Sequence, residues 1–397
     1  MAGALETLEL YNSIDILIAI AFIAVQARIT HLLARTAARR YGPRGQALAL
    51  AGIAVYDGVL VLAYVFGFSQ MIVSRSFPYI GTYLAAGMIF YLLLAGSVLV
   101  LHWLIGILRK SIDGPADPTR RRLLSAAGNA VLAAPAVVLG YGAFVERTNF
   151  HTREIDVPIP NLPPDLEGLR IVQVSDIHLS PFLSERQFAR VIDSANELRP
   201  HLAAITGDLI TDPGDPVEAA VRQLARLKTD AGVFGCMGNH DSYAGVTRYI
   251  ERTAAHHGMR FLRGASHALQ FGAATLNFAG QDYERKSRKP NYLAGAERLV
   301  QPGAVNILLQ HNPDVFPVAA RQGYSLLLAG HTHGGQVTVE ILDRAISPAF
   351  FFTPYVYGLY RIGDASAYVT RGIGTIGIPA RLGAPPELSL LRLTGRL

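Results

Sequence analysis

Gly330-His331-Thr332-His333-Gly334-Gly335 sets two histidines one residue apart on a glycine-flanked turn. The apolar run Tyr324 to Ala329 leads into it and reads as a short buried strand. Glycine lets the backbone bend sharply and leaves room for whatever approaches. Alternate imidazoles on such a turn can each hold a different metal ion. A His-x-His pair by itself also arises by chance, so its meaning depends on partners elsewhere in the chain.

Four further clusters precede it, each at the end of an apolar run. Leu169 to Val174 leads into Ser175-Asp176-Ile177-His178, and Leu202 to Thr206 into Gly207-Asp208-Leu209. Gly232 to Met237 leads into Gly238-Asn239-His240-Asp241, and Val305 to Gln310 into His311-Asn312-Pro313. The grammar repeats: a buried strand, then a loop carrying Asp, Asn or His. Open α/β sheets place their sites at the carboxyl ends of strands, so five strand ends can converge on one point. Carboxylate, imidazole and amide oxygen suit Zn, Mn or Fe, and no thiolate set competes. Two such ions about 3.5–4 Å apart clamp the attacking and leaving oxygens of a displacement at phosphorus. One carboxylate must then bridge them.

The ordered series Asp176-x-His178, Gly207-Asp208, Gly238-Asn239-His240-Asp241, His311 and Gly330-His331-x-His333 resembles the calcineurin-like metallophosphoesterase superfamily. The resemblance covers roughly residues 168–397. It is closest to bacterial membrane-associated members, through the Gly-His-Thr-His-Gly-Gly-Gln form and the tail Tyr357-Gly358-Leu359-Tyr360 with Arg371-Gly372-Ile373-Gly374-Thr375. It implies two packed β-sheets flanked by helices, and two divalent metal ions. On that resemblance Asp176, His178 and His333 hold the first ion, Asn239, His311 and His331 the second, and Asp208 bridges them. It also implies a nucleophilic hydroxide between the ions, and His240, beside the second ion, as the group that protonates the leaving alkoxide or stabilises charge on phosphorus. Where some members carry an Asp to orient that histidine, this chain has Thr211. Asp212, one residue later, and Asp241 are the alternatives, and Asp241 is therefore a candidate beside His240.

The elements that must position this site begin at residue 168; what precedes them is different in kind. Half of the 397 residues are hydrophobic and only 17% are charged. Four apolar segments account for this: Leu10–Ala27, Ala47–Phe68, Tyr79–Leu108 and Leu123–Val145. About 20 apolar residues span a bilayer core, so residues 1–146 read as a membrane region of about four helices, the fourth either an anchor or a cleaved signal. Asp57 and His102 then mark a proton or ligand path, or face neighbouring helices.

Arginine placement gives an orientation. Arg28, Arg35, Arg39, Arg40 and Arg44 lie in the first loop, and Arg109, Lys110 and Arg120 to Arg122 precede the fourth segment. Only Arg75 lies between the second and third. The basic stretches should be cytoplasmic, which puts the amino terminus and the phosphoesterase domain outside the bacterial inner membrane. Thr119-Arg120-Arg121-Arg122-Leu123-Leu124 also resembles a twin-arginine export signal, which would make the export machinery a partner; a plain cytoplasmic basic cluster predicts the same side.

Residues 147–167 read as a connector, with Ile155, Val157 and Ile159 alternating as in an edge strand and Pro158, Pro160, Pro163 and Pro164 arguing against a central one. Residues 168–397 form the catalytic domain. Ser184–Arg199, Pro216–Lys228 and Tyr243–His257 read as helices, the first with an N-cap serine, and Ala268–Phe271 and Thr275–Ala279 as strands about a turn.

The net charge is +6. Residues 1–150 hold twelve Lys or Arg against seven acids, leaving 24 against 23 for the rest. Basicity therefore follows membrane orientation and excludes a nucleic-acid patch. The run Arg285-Lys286-Ser287-Arg288-Lys289 either meets anionic head groups or a phosphorylated substrate, or is a solvated loop. Phe350-Phe351-Phe352 lines a pocket, touches a membrane interface or packs in the core. His151, His201, His256, His257 and His267 read as surface or structural, and the single Cys236 implies no disulfide within one chain.

Three functions compete. The first is a membrane-anchored phosphoesterase acting on lipid or envelope phosphoesters, with phosphodiesters foremost. The second is a pyrophosphatase of the UDP-acylglucosamine type in lipid A assembly, which needs a cytoplasmic-facing site. The third is a non-catalytic metal-binding scaffold, disfavoured because every ligand position is filled.

Overall fold

The computed structural model describes residues 2–68, 78–112, 118–341 and 344–395. Two compact units divide it, Met1–Gly140 and Tyr141–Leu397.

In the first unit, α1 (Ala2–Phe68) is helical on both sides of a break at Gly42, where φ is 69° and Pro43 follows. Proline cannot donate to the preceding turn, and glycine alone adopts the left-handed conformation without strain, so the pair breaks the helix at that point. The stretch from Arg28 to Tyr41, expected as a loop, is thus helical. Its Ala, Leu and Arg are strong helix formers, and their propensity prevails over their polarity. α2 spans Pro78–Ile112 and α3 spans Pro118–Phe144. Among the described residues one window, Phe90–Ile107, is long and apolar enough to cross a membrane. Asp57 accepts a hydrogen bond from Gln26, which in turn accepts one from Tyr91 of α2, so the Asp57 carboxylate has partners within the helical unit. Arg75 lies outside the described residues.

The second unit stacks two six-stranded sheets. Strands β1 (His151–Pro158), β2 (Arg170–Val174), β3 (Leu202–Thr206), β4 (Val233–Cys236), β5 (Arg260–Phe261) and, late in the chain, β14 (Glu387–Thr394) form the first, in the order β1-β14-β2-β3-β4-β5. β6 (Ala265–Phe271), β7 (Ala274–Gly280), β8 (Val305–Leu309), β9 (Leu326–Ala329), β12 (Gly358–Ile362) and β13 (Ala365–Val369) form the second, in the order β12-β13-β9-β8-β7-β6. A short hairpin of β10 (Val339–Ile341) and β11 (Arg344–Ile346) stands between β9 and β12 in sequence. β2, β3 and β4 are mutually parallel, as are β7, β8 and β9. β1 pairs only with β14, at the edge, and its last ladder position is Pro158.

Side-chain alternation builds the layers. Ile171, Leu202, Ala204 and Phe234 face Ile307, Leu309, Leu326 and Leu328 in a core between the sheets. Their neighbours Val172, Val174, Ala203 and Ile205 point the other way, onto the helices α4 (Glu185–Glu197), α5 (Val217–Leu224) and α7 (Thr247–His256). Leu308, Leu327 and Ala329 do the same on the second sheet, against α8 (Phe316–Gln322). Both faces of each central strand are buried, so these strands read as unbroken apolar runs. The domain is therefore α/β, two mixed sheets flanked by helices. Ser184 caps α4 with a full capping box, accepting from the Gln187 N–H while the Gln187 side chain accepts from the Ser184 N–H. Buried Gln173 ties the sheets together beside the site, its amide donating to Thr206 Oγ1 at 2.9 Å and the Ala329 carbonyl at 3.0 Å.

Candidate metal centre

Five parallel strands of the two sheets end on one another. β2 delivers Asp176 and His178, β3 Asp208, and β4 the short helix α6 (Asn239–Tyr243), which begins with Asn239 and His240. From the second sheet β8 delivers His311, and β9 delivers His331 and His333.

The backbone is bent to aim them inward. Asp176, His178, Asp208, His331 and His333 all have φ between 46° and 75°. A non-glycine residue held there costs on the order of 1–3 kcal/mol, and such strain persists only where packing enforces it. Glycine opens the close approach. A Cβ on Gly238 would run into Asp208, and one on Gly330 into Asp176.

Two groups result. Asp176, His178 and His333 bring one ligand atom each within 4.8 Å of one another, as do Asp208, His311 and His331. Asp208 belongs to both neighbourhoods: its Oδ2 lies 3.5 Å from His178 Nε2 and 3.0 Å from His311 Nε2. The rings interleave, with His178 and His333 centroids 4.9 Å apart and His311 and His331 5.1 Å apart. Asn239 is buried at the head of α6.

The inward atoms lack hydrogen-bond partners. His178 Nε2, Asn239 Oδ1 and His311 Nε2 are all buried in this condition. Buried polar atoms are normally satisfied, so a cluster of such atoms facing one point needs a shared partner. His311 shows which kind. Its Nδ1 sits 2.6 Å from the Thr206 carbonyl, which can only accept, so Nδ1 carries the hydrogen and Nε2 of the neutral ring presents a lone pair. That lone pair faces a carboxylate oxygen 3.0 Å away, so the contact calls for a positive charge at Nε2, a proton or a metal ion in its place. Burial alone lowers the His311 pKa, but the charges of Asp208 and Asp176 overcome it and hold the ring up to about 10. Burial lowers His178 and His331 to about 3, leaving both neutral, the form that ligates. Nitrogen and oxygen donors without thiolate fit two divalent ions of the Zn, Mn or Fe type.

His240, expected beside the second group, borders the first, its ring 5.0 Å from that of His178. Its Nδ1 lies 2.8 Å from the Thr211 carbonyl, so Nδ1 donates and Nε2 is turned loose. Neither Asp212 nor Asp241 takes this place. Asp241, expected beside His240, instead accepts the backbone N–H groups of Asp208, Leu209 and Gly238 at 2.8–2.9 Å. Burial and the charge of Asp208 push its carboxyl up to about 6. Asp241 fastens the β3 and β4 loops together and is a positioning residue. Asp212 is half-buried and within electrostatic reach of His240.

Sequence reasoning did not find Arg381. It is fully buried, and burial lowers its pKa to about 10. The guanidinium donates to the carbonyls of Gly374, His333, Ala384, Arg371 and Gly372, pinning the tail loop to the His333 turn. A lone Arg between Ala380 and Leu382 gives no signal of this. Tyr283 is the other addition, its ring 5.2 Å from His331 and 6.0 Å from His311. Of the histidines outside the clusters, His151, His256 and His257 are exposed, His201 accepts the Arg170 N–H, and His267 stacks on Phe234. Cys236 is buried in β4.

Known proteins carry the same signature. The calcineurin-like phosphoesterase family model matches residues 169–335. The chain is 31% identical over 328 residues to a transmembrane protein with metallophosphoesterase domain from Danio rerio, covering 79% of this chain and 72% of the relative. It is 30% identical over 257 residues to the uncharacterized metallophosphoesterase YkuE of Bacillus subtilis, covering 64% and 89%. With phosphodiesterase YaeI of Escherichia coli it shares 29% identity over 230 residues, covering 56% and 82%. With identity of this extent over a site of this geometry, the chain belongs to the calcineurin-like metallophosphoesterase family and is a metal-dependent phosphoric ester hydrolase.

Proposed function

We propose that the protein is a membrane-anchored, two-metal phosphodiesterase whose site faces outside the cytoplasmic membrane. The observation that carries the chemistry is the set of unpartnered donor atoms converging around Asp208. Asp176, His178 and His333 hold one ion, Asn239, His311 and His331 the other, and Asp208 is shared. When bound, two such ions supply a water acidified to a pKa of about 7 as nucleophile and positive charge for the phosphoryl oxygens.

The chain's own residues do the rest. Asp208 Oδ1 accepts the His240 N–H at 2.8 Å, leaving Oδ2 to the ligand cluster, and Asp176 Oδ1 accepts the His331 N–H at 2.9 Å while lying 3.4 Å from His333 Nε2. His240 lies beside His178, and in its doubly protonated form its Nε2 would give a proton to a departing alkoxide and return the ring to the Nδ1–H tautomer. The Thr211 carbonyl fixes which nitrogen carries the hydrogen. Diester preference is supported by the Escherichia coli relative, which is named a phosphodiesterase.

Anchoring is supported by Phe90–Ile107, by exposed apolar side chains such as Ile23, Leu48 and Trp103 on the helical unit, and by the relatives named as transmembrane. Arg28 to Arg44 and Arg120 to Arg122 support an external domain, with twin-arginine export as one route. The domain division proposed is membrane helices over 1–146, a connector over 147–167 and the catalytic domain over 168–397. The test is hydrolysis of a chromogenic phosphodiester and the matching monoester by the full chain in detergent, with Mn, Zn or no added metal. Metal-dependent diester turnover greater than monoester turnover is expected; activity indifferent to chelators would overturn the reading. Protease accessibility of the domain in right-side-out vesicles tests the sidedness.

A further inference from the structure

Three consecutive phenylalanines stand out of the catalytic unit next to its site. Phe350, Phe351 and Phe352 are 44%, 91% and 72% exposed, and Phe351 is the most exposed large apolar side chain among the described residues. Phe350 and Phe351 end a short 3-10 turn, Pro348–Phe351, that follows the buried Ser347, and Phe352 is its C-cap. A Cβ on Gly335, in the His333 turn, would strike Ser347, so the aromatic knob is seated directly on the ligand loop. Further along, Thr332 donates to the Val356 carbonyl at 2.5 Å.

A basic run borders the same rim. Thr353 Oγ1 donates to Asp314 Oδ1 at 2.5 Å, and Asn312, which opens that turn, donates to the Glu284 carbonyl at 2.8 Å. Arg285 follows, its guanidinium 5.1 Å from the ring of Tyr243, which lies edge-on to His240 at 5.8 Å. Arg285, Arg288 and Lys289 are exposed. Exposed aromatic groups beside exposed cations, on a folded rim, complement one kind of surface: a bilayer with apolar chains beneath anionic head groups.

We propose that the rim of the metal centre docks on an anionic lipid surface. Phe350, Phe351 and Phe352 enter the head-group layer, and Arg285, Arg288 and Lys289 meet its phosphates. The site then works on phosphoesters carried by lipids. That last step, the substrate class, rests on the phosphoesterase reading above; the docking does not.

The test uses the full chain reconstituted in vesicles. Trp103 is the single tryptophan, so Trp103→Phe combined with Phe351→Trp gives a reporter confined to the knob. Vesicles of phosphatidylcholine with or without phosphatidylglycerol carry brominated acyl chains. The expected result is blue-shifted emission quenched by the brominated lipid, strongest with phosphatidylglycerol. In an Arg285→Glu/Arg288→Glu/Lys289→Glu background the association should weaken by roughly fivefold for each charge lost. Emission that stays water-like, open to acrylamide and indifferent to brominated lipid, overturns the proposal. So does quenching unchanged by lipid charge, and so does shielding from acrylamide that persists in detergent and grows with protein concentration, which marks a second copy. Hydrolysis of a soluble chromogenic diester by the same samples separates the two readings. Turnover without quenching refutes docking alone, and quenching without turnover refutes the phosphoesterase alone.

Discussion

The Thr211 carbonyl holds the His240 hydrogen on Nδ1, so Nε2 is the nitrogen left to carry a second proton, and the charged ring is the proposed acid. His240→Ala should lower kcat by about 10²–10⁴ with metal content unchanged. The loss should be larger for an alkyl leaving group than for p-nitrophenolate, which departs without a proton; equal losses on both would remove the acid role. Asp241 predicts a different phenotype. Its two carboxylate oxygens take three backbone N–H groups, and in Asp241→Asn one oxygen becomes an amide donor facing another donor. The expected cost is about 1–3 kcal/mol of stability, read by chemical unfolding, with activity falling because the β3 and β4 loops separate. The metal-ligating types were legible because their chemistry resides in their side chains. The partner of His240 was not, because a main-chain carbonyl leaves no mark in the identity of Thr211. Arg381 escaped for a related reason: it donates to carbonyls, which every residue has.

Elements were readable where one periodicity ruled. Ser184–Arg199 announced its start by an N-cap serine, and α4 begins at Glu185. Ser184→Ala should cost about 1 kcal/mol, measured as a shift in unfolding midpoint. The buried strands were equally plain, since both faces are covered. Tyr243–His257 was read as one helix, but two occupy the region, α6 ending at Tyr243 and α7 starting at Thr247; Gly245 with φ of 72° breaks them. The long α1 was missed because its arginines suggested a loop while their intrinsic propensity is helical. Glycine at the strand ends carries the sharpest element-scale prediction. Gly238→Ala would drive a methyl group into Asp208, which both neighbourhoods share. Because a displacement of about 1 Å can cost 10²-fold, kcat should fall by about that factor while far-ultraviolet circular dichroism stays unchanged.

Across the whole molecule, strain and burial at the site imply that the fold is completed by what it binds. Five candidate ligand residues sit in the left-handed region around two buried carboxylates, Asp176 and Asp208. Chelation should therefore lower the melting temperature as well as abolish hydrolysis, and Mn or Zn should restore both, since a ligand bound only by the folded state stabilises it by mass action. The two-sheet domain was foreseen from residue order and resemblance together. The Phe350 knob was not, because three phenylalanines in sequence read equally well as core, and only their exposure tells them apart.

The most direct measurement is metal content and diester turnover on one preparation of the full chain, beside Asp208→Asn. Two ions per chain, metal-dependent turnover, and loss of turnover together with weakened binding of both ions in Asp208→Asn are the results expected of a carboxylate shared by the two groups. A folded chain that binds no divalent ion, or an Asp208→Asn variant that binds both and turns over normally, would contradict the shared centre.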